Sequence, residues 1–263
     1  SSKQAQAIIQ GLKADVATFN QVTDIDILHS RGHLIPEDWA KRLPNNSSPY
    51  YSTMAFLVRK GNPKHIDNWD DLVRGGVELV MPNPKTSGNG RYTYLAALGY
   101  AQDRFGDDQD AIDTFMADLL RHVKVFDSGG RGATTTFIER GIGDVLLTFE
   151  SEVLNLADRF DNGEYQVVTP KVSFLAEFPV TWIDEYVKQN GTEDLAKAYL
   201  EHLYSEEAQR LLASFNYRVH DATVQAETRD RFPEIKLKSI EDDPLKFRDT
   251  RRYADLRQIR RRP

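Results

Sequence analysis

Between residues 77 and 160 the chain alternates short apolar runs with longer stretches of helical pattern. VELVM (77–81), VKVF (123–126) and DVLLTF (144–149) have the length and composition of strands. Residues 89–104, 112–122, 132–141 and 150–160 read as helices. Upstream, KQAQAIIQGL (3–12) predicts a helix, ADVATF (14–19) a buried strand, and a further helix begins across Asp24 to Leu28. LPNNSSPYYS (43–52) is rich in turn residues, and its Asn46-Ser47-Ser48 sequon reads as a loop. STMAFLVRKGN (52–62) is an apolar strand stopped by Gly-Asn-Pro, and HIDNWDDLVRGG (65–76) a short capped helix closed by glycines. Downstream, YQVVTP (165–170) and LAEFPVTWI (175–183) predict strands, and 192–203 and 205–215 helices. The first of these helices carries Leu195, Ala198, Tyr199 and Leu203 on one stripe.

Strand–helix alternation of this kind means a parallel sheet with covering helices, an α/β fold. Ligands of such sheets sit beyond the carboxyl ends of the strands, where loops lead into helices. Three stretches of small polar residues occupy that kind of position: SSKQAQAIIQGL from Ser1, PNPKTSGNGRYTYL from Pro82, and DSGGRGATTTF from Asp127. A helix N-terminus exposes unpaired N–H groups and carries about half a positive charge. Serine there caps the helix or offers its hydroxyl to a ligand, and glycine lets a ligand oxygen approach the backbone. Ser87-Gly88-Asn89 and Ser128-Gly129-Gly130 have that composition. Each stretch alone reads more readily as a capped helix; three in one chain point to a shared cradle of neutral donors for an oxyanion.

The 263 residues suffice for one large domain or two lobes with real cores, and 40% apolar with 28% charged residues is a soluble globular composition. A net charge of −6 argues against a nucleic-acid surface but not against an anion held by local amide donors. With no cysteine, disulfides, thiolate zinc sites and cysteine nucleophiles are excluded. No apolar run approaches the ~20 residues of a membrane span. The chain begins without Met, inside a helical pattern, and reads as starting mid-protein.

Other chemistries fit poorly. Lys85-Thr86 lacks the glycines of a nucleotide-binding P-loop, and Gly88 and Gly90 lack the third glycine of a dinucleotide fingerprint. The six histidines are scattered without metal-ligand spacing, so no metal or cofactor is expected. Glu150 and Glu152 favour a helix start through its dipole rather than sharing a face. Arg91 and Arg131 follow the two glycine-rich starts, placed either to touch an anion or to pair with a carboxylate. Trp39, Trp69 and Trp182 read as packing residues.

PNPKTSGNGRYTYLAALG, DSGGRGATTTFIERGIGDVLLTFESEV, LAEFPVTWID and LPNNSSPYYSTMAFLVRKGNPK, with SSKQA at the start, resemble the periplasmic sulfate/thiosulfate-binding proteins of bacterial ABC importers. The likeness covers about Ser1 to Asp243, and NNSSPYYSTM, DVLLTFESEV and LAEFPVTW resemble the thiosulfate-binding branch more. It implies a type II binding-protein fold with two α/β lobes, each a mixed or parallel sheet flanked by helices, closing on a dehydrated divalent oxyanion that sits in the cleft between them and is held by N–H groups and hydroxyls. Residues 1–75 would form the first part of lobe one, 76–177 lobe two, and 178–243 the return across the hinge. Carried over by position, the ligand residues are Ser1 and Ser2, then Ser87, Gly88 and Asn89, then Gly130 beside Gly129. The implied protein is a monomeric, non-catalytic carrier of thiosulfate or sulfate that works in the periplasm and hands its cargo to a permease in the inner membrane. Binding of another oxyanion (molybdate, tungstate or phosphate) and processing of phosphate or sulfate esters are the alternatives.

The chain departs from the family pattern in three places. The family's opening strand and Ser-Tyr-Asp loop have no counterpart here, which implies that the N-terminus is missing. The sulfate-binding branch has a Trp donor where this chain has Phe149, which implies a larger, less polar cavity suited to thiosulfate. Residues 244–263, with seven arginines, form a divergent tail to which no role is assigned.

Overall fold

The structure, a computed structural model, describes residues 2–160 and 163–239. Ser1 and the arginine-rich tail at 244–263 lie outside the described residues. The described residues form two compact units, one made of those up to Ser52 and then of 176–232, the other of those within 53–175 and of 233–239. In the first unit α1 (Ser2–Ile9), β1 (Val16–Thr18), α2 (Val22–Ser30), α3 (Pro44–Ser47) and β2 (Tyr50–Ser52) follow one another. The second unit continues with β3 (Met54–Arg59), β4 (Leu79–Pro82), α4 (Gly88–Phe105), α5 (Gln109–His122), β5 (Val123–Asp127) and α6 (Gly130–Ile138). It goes on with β6 (Val145–Phe149), α7 (Glu150–Arg159), β7 (Tyr165–Val168) and β8 (Val172–Phe174). The first unit resumes with β9 (Ala176–Glu177), β10 (Val180–Trp182), α8 (Asp184–Asn190), α9 (Glu193–His202), α10 (Glu206–Ser214), β11 (Arg218–Val219) and α11 (Ala222–Glu227). The last described strand, β12 (Lys236–Lys238), belongs to the second unit.

The second unit is built on a five-stranded sheet of order β5-β4-β6-β3-β7. β4 runs parallel to β5 and β6, whereas β3 is antiparallel to both β6 and β7. The sheet is therefore mixed where the alternation alone predicted a parallel one. The reversed strand is β3, which is followed by a 3-10 turn at Trp69–Val73 rather than by a crossover helix. That turn is the helix expected at 65–76, and it carries the capping box its sequence announces, between Asn68 and Asp71. One face of the sheet sets Ala55, Leu57, Val80 and Leu146 against Ala133 and Phe137 of α6 and Val153 and Leu156 of α7. Fully burying a side chain of this size stabilises by roughly 1.5–3 kcal/mol. On β3 the alternate residue Phe56 stacks edge-on against Trp69, centroids 4.8 Å apart, and the Trp69 indole donates to the Val172 carbonyl at 2.8 Å. β12 pairs in parallel with β8, and Lys236 and Lys238 both form ion pairs with Asp103 of α4.

In the first unit β1 pairs with β10, and β11, β2 and β9 form a three-stranded antiparallel sheet. LAEFPVTWI is therefore two strands in two sheets, split around Phe178-Pro179, because proline cannot donate to a ladder. The core groups Ala5, Ile8, Ile25, Leu28, Trp39 and Ile183. The stripe read on α9 splits: Leu195 is 71% and Tyr199 52% exposed, whereas Leu203 packs against Val180 and Leu200, and Ala196 and Leu200 are the buried pair. Asn45, Asn46 and Ser47 are all left-handed, φ 55 to 56°, in the segment that sequence marked as a loop. Asparagine tolerates this conformation better than most residues, and the Ser47 hydroxyl ties the turn down by accepting from Leu43 N–H and reaching the Trp39 carbonyl, each at 3.1 Å. No helix among the described residues is long and apolar enough to cross a membrane.

Candidate functional site

The parallel strands β5, β4 and β6 lie side by side, so their carboxyl ends, Asp127, Pro82 and Phe149, share one edge of the sheet. Each end feeds a helix. α4 follows after five residues, α6 after two, and α7 begins at the next residue. Three helix N-termini, each with first-turn N–H groups outside its own hydrogen-bond ladder, therefore gather on one side of this unit.

The start of α4 is a closed turn. Asn83 Oδ1 accepts from Lys85 N–H at 2.9 Å, and the Asn83 carbonyl accepts from Thr86 and Ser87 N–H at 3.1 and 2.9 Å. Ser87, buried at 8% exposure, caps the helix by accepting from Gly90 N–H at 3.4 Å, which leaves its hydroxyl proton available to a ligand. Gly90 has no alternative: a Cβ there would stand 2.4 Å from the Pro82 carbonyl oxygen and 2.8 Å from the Pro84 nitrogen. Arg91 folds back onto this loop, its Nε donating to the Pro84 carbonyl at 3.2 Å.

The start of α6 is open. Its cap is Gly129, in an extended conformation with no side-chain cap, and Ser128 is exposed one residue earlier. The serine expected to sit at the start of this helix is thus not its cap. Backbone ties to the neighbouring loop fix this segment instead. Asn83 N–H donates to the Asp127 carbonyl at 2.7 Å, and Thr86 Oγ1 donates to the Ser128 carbonyl at 3.0 Å. Gly132 closes over Asp127, where a Cβ would meet the Asp127 side chain at 3.2 Å. Desolvation raises the Glu152 carboxyl above its ordinary range, and the charge of nearby Arg131 offsets only part of that rise.

Side chains join the three starts. Asn89, 4% exposed in the first turn of α4, donates from Nδ2 to Thr148 Oγ1 at 2.8 Å. Thr148 is fully buried and immediately precedes Phe149, the residue before α7. Gly130, the first residue of α6, backs onto the same amide, since a Cβ there would lie 3.0 Å from Asn89 Nδ2 and 3.9 Å from Thr148 Oγ1. At the α7 start, Glu150 N–H is already engaged with the Thr53 carbonyl at 2.7 Å. Phe149 is buried, its ring centroid 6.0 Å from that of Tyr92.

Of the residues singled out from sequence, Ser87, Gly88, Asn89, Gly129 and Gly130 thus come together at one edge. Ser2 opens α1 in the other unit, and its side chain, like Ser1, lies outside the described residues. Asn83, Thr86 and Thr148 were missed. The Asn83 turn had a local signal in its Asn-Pro pair, but nothing in the sequence links Asn89 to a threonine 59 positions away. The edge offers amide N–H groups and a hydroxyl. No group of three or more His, Cys, Asp or Glu among the described residues could hold a metal.

Comparisons with known proteins agree on a relationship. Residues 1–218 match the family of bacterial extracellular solute-binding proteins. The thiosulfate-binding protein of Escherichia coli (strain K12) is 59% identical over 242 residues, 92% of this chain and 72% of that protein. The sulfate-binding protein of the same organism is 46% identical over 243 residues, 92% and 74% of the two chains. The solved structure of the sulfate-binding protein SubI from Mycobacterium tuberculosis H37Rv superposes with a TM-score of 0.81 at 33% identity, covering 92% of this chain and 82% of that one. With its mixed sheets flanked by helices, the chain has the type II periplasmic binding-protein fold and belongs to the family of bacterial extracellular solute-binding proteins.

Proposed function

We propose that this protein captures thiosulfate, and sulfate as a second ligand, in the periplasm and delivers it without chemical change to the permease of an ABC importer. In this reading the two compact units correspond to the two lobes of the family, and the protein works as a monomer. Ser87 gives the ligand its hydroxyl, Gly88, Asn89 and Gly130 give backbone N–H groups, Gly129 keeps the approach to the α6 start free of a side chain, and Ser1 and Ser2 contribute from the first helix.

One observation carries the reading: α4 and α6 start beside each other at the carboxyl edge of one sheet, with first-turn N–H groups, a buried serine hydroxyl and glycines in place of bulky side chains. Such an arrangement suits an oxyanion, since helix N-termini favour negative charge and hydrogen bonds to charged groups contribute roughly 1.5–3 kcal/mol each. A site of donors also disfavours hydrogen phosphate, whose proton would be left without an acceptor at a cost of about 1–3 kcal/mol. The relatives named as thiosulfate- and sulfate-binding proteins support the choice of anion. Phe149 supports thiosulfate over sulfate, because it presents a buried apolar ring with no donor at the end of β6.

Calorimetric titration of the full-length protein with thiosulfate, sulfate and phosphate tests this. Tight binding of the first two with no heat from phosphate is expected. A folded protein silent to thiosulfate and sulfate would overturn the reading, and tight phosphate binding would refute the donor-only account of its selectivity.

A further inference from the structure

We infer that Asn89 is a positioning residue whose carboxamide fixes the spacing of the helix starts that hold the anion, a role that rests on the anion-binding reading above. The argument comes from its contacts. A residue in the first turn of a helix has no need of a buried polar side chain, yet Asn89 is 4% exposed. Its Nδ2 donates to the fully buried Thr148 Oγ1 at 2.8 Å, while its Oδ1, also buried, has no partner among the described residues. The amide is thus anchored by Thr148 rather than by its own helix.

Thr148 belongs to β6, so this bond joins the first turn of α4 to the end of the strand that feeds α7. The same Nδ2 bounds α6, because the space a Gly130 side chain would fill is closed at 3.0 Å by Asn89. One amide therefore touches the α4 start, which it belongs to, the α6 start and the strand end before α7. Donors held at fixed separation before the ligand arrives lose less conformational freedom on binding. Released from Thr148, the amide would let the N–H groups of Gly88, Asn89 and Gly130 shift relative to one another.

The test is thiosulfate titration of the full-length wild type, Asn89→Ala, Thr148→Val, Thr148→Ser and the Asn89→Ala/Thr148→Val pair, with melting curves recorded without ligand. Asn89→Ala and Thr148→Val should each weaken binding about tenfold, and the pair no more than either alone, because both remove one tie. Thr148→Ser keeps the hydroxyl and should stay within about twofold of the wild type. Loss of affinity should not track loss of melting temperature, as it would if the bond served folding alone. Folded variants that bind like the wild type, or two losses that simply add, would overturn the role. If Thr148→Val fails to fold, Asn89→Ala and Thr148→Ser decide it. A wild type that binds neither thiosulfate nor sulfate would sink the anion reading and this role with it, whereas tight wild-type binding with indifferent variants would sink the role alone.

Discussion

Helices α4 and α6 start from neighbouring strands of one sheet, and they are built by opposite means. The α4 start makes its own shape. Asn83 organises the turn, Ser87 caps the helix, and Gly90 sits where the carbonyl of Pro82 leaves no room for a side chain. The α6 start makes almost nothing of its own. Gly129 has no side-chain cap, a Cβ there would meet no atom within 4 Å, and Ser128 is exposed. Its position comes from α4's loop, through Asn83 on Asp127 and Thr86 on Ser128, and from Asn89 behind Gly130. Two similar glycine-rich sequences thus have different roles, one as template and the other as the element placed against it.

Damage should therefore be worse at α4. The largest loss is expected from Gly90→Ala. The new methyl would lie 2.4 Å from one backbone atom and under 3 Å from two more, none of which can swing aside as a side chain could. Overpacking of this kind costs about 3 kcal/mol, several degrees of melting temperature in a chain of this length. A Gly90→Ala protein that melts with the wild type would mean that the α4 loop yields easily and is no template. Ser87→Ala is expected to come next. It removes a cap whose loss typically costs about 1 kcal/mol. On the proposed reading it also removes a ligand hydroxyl, so thiosulfate affinity should drop at least tenfold, the lower end of what a hydrogen bond to a charged group contributes. Calorimetry beside a melting curve separates the two effects. Unchanged affinity with a lowered melting temperature would leave Ser87 as a cap and nothing more.

How much of this could be read from the chain depends on how far apart the interacting residues lie. The strand–helix alternation at 77–160 placed β4, α4, β5, α6, β6 and α7 within a few residues, because each depends on its own periodicity. The direction of β3 was not readable, since it is set by pairing with Leu147 and its neighbours some 90 positions on. The α9 stripe was misjudged in part for a related reason. Two apolar sets exist on that helix, and only contact with α8 and β10 selects Ala196 and Leu200 as the inner one. At the candidate site Ser87, Gly88, Gly129 and Gly130 carry a local signature. Asn89 was noted only for its backbone, because its side chain acts through Thr148, on a strand that local pattern could place but not bring into register.

The smallest effect should come from Gly129→Ala. Its φ of −171° and ψ of 176° are extended backbone open to alanine, and no atom lies within 4 Å of the added methyl. Alanine is a poorer cap than glycine, but it also narrows the unfolded chain's freedom by about 0.4–1 kcal/mol, so the two terms nearly cancel. The melting temperature should therefore move by less than the equivalent of about 0.5 kcal/mol. Affinity for thiosulfate should fall less than in Ser87→Ala, because the Gly130 N–H stays where Asn89 and Thr86 hold it. A loss of stability rivalling that of Gly90→Ala would show that α6 shapes its own start after all. Unmoved stability would leave its placement with the neighbouring loop, in which case the glycine at 129 is there for what must approach the helix rather than for the helix itself.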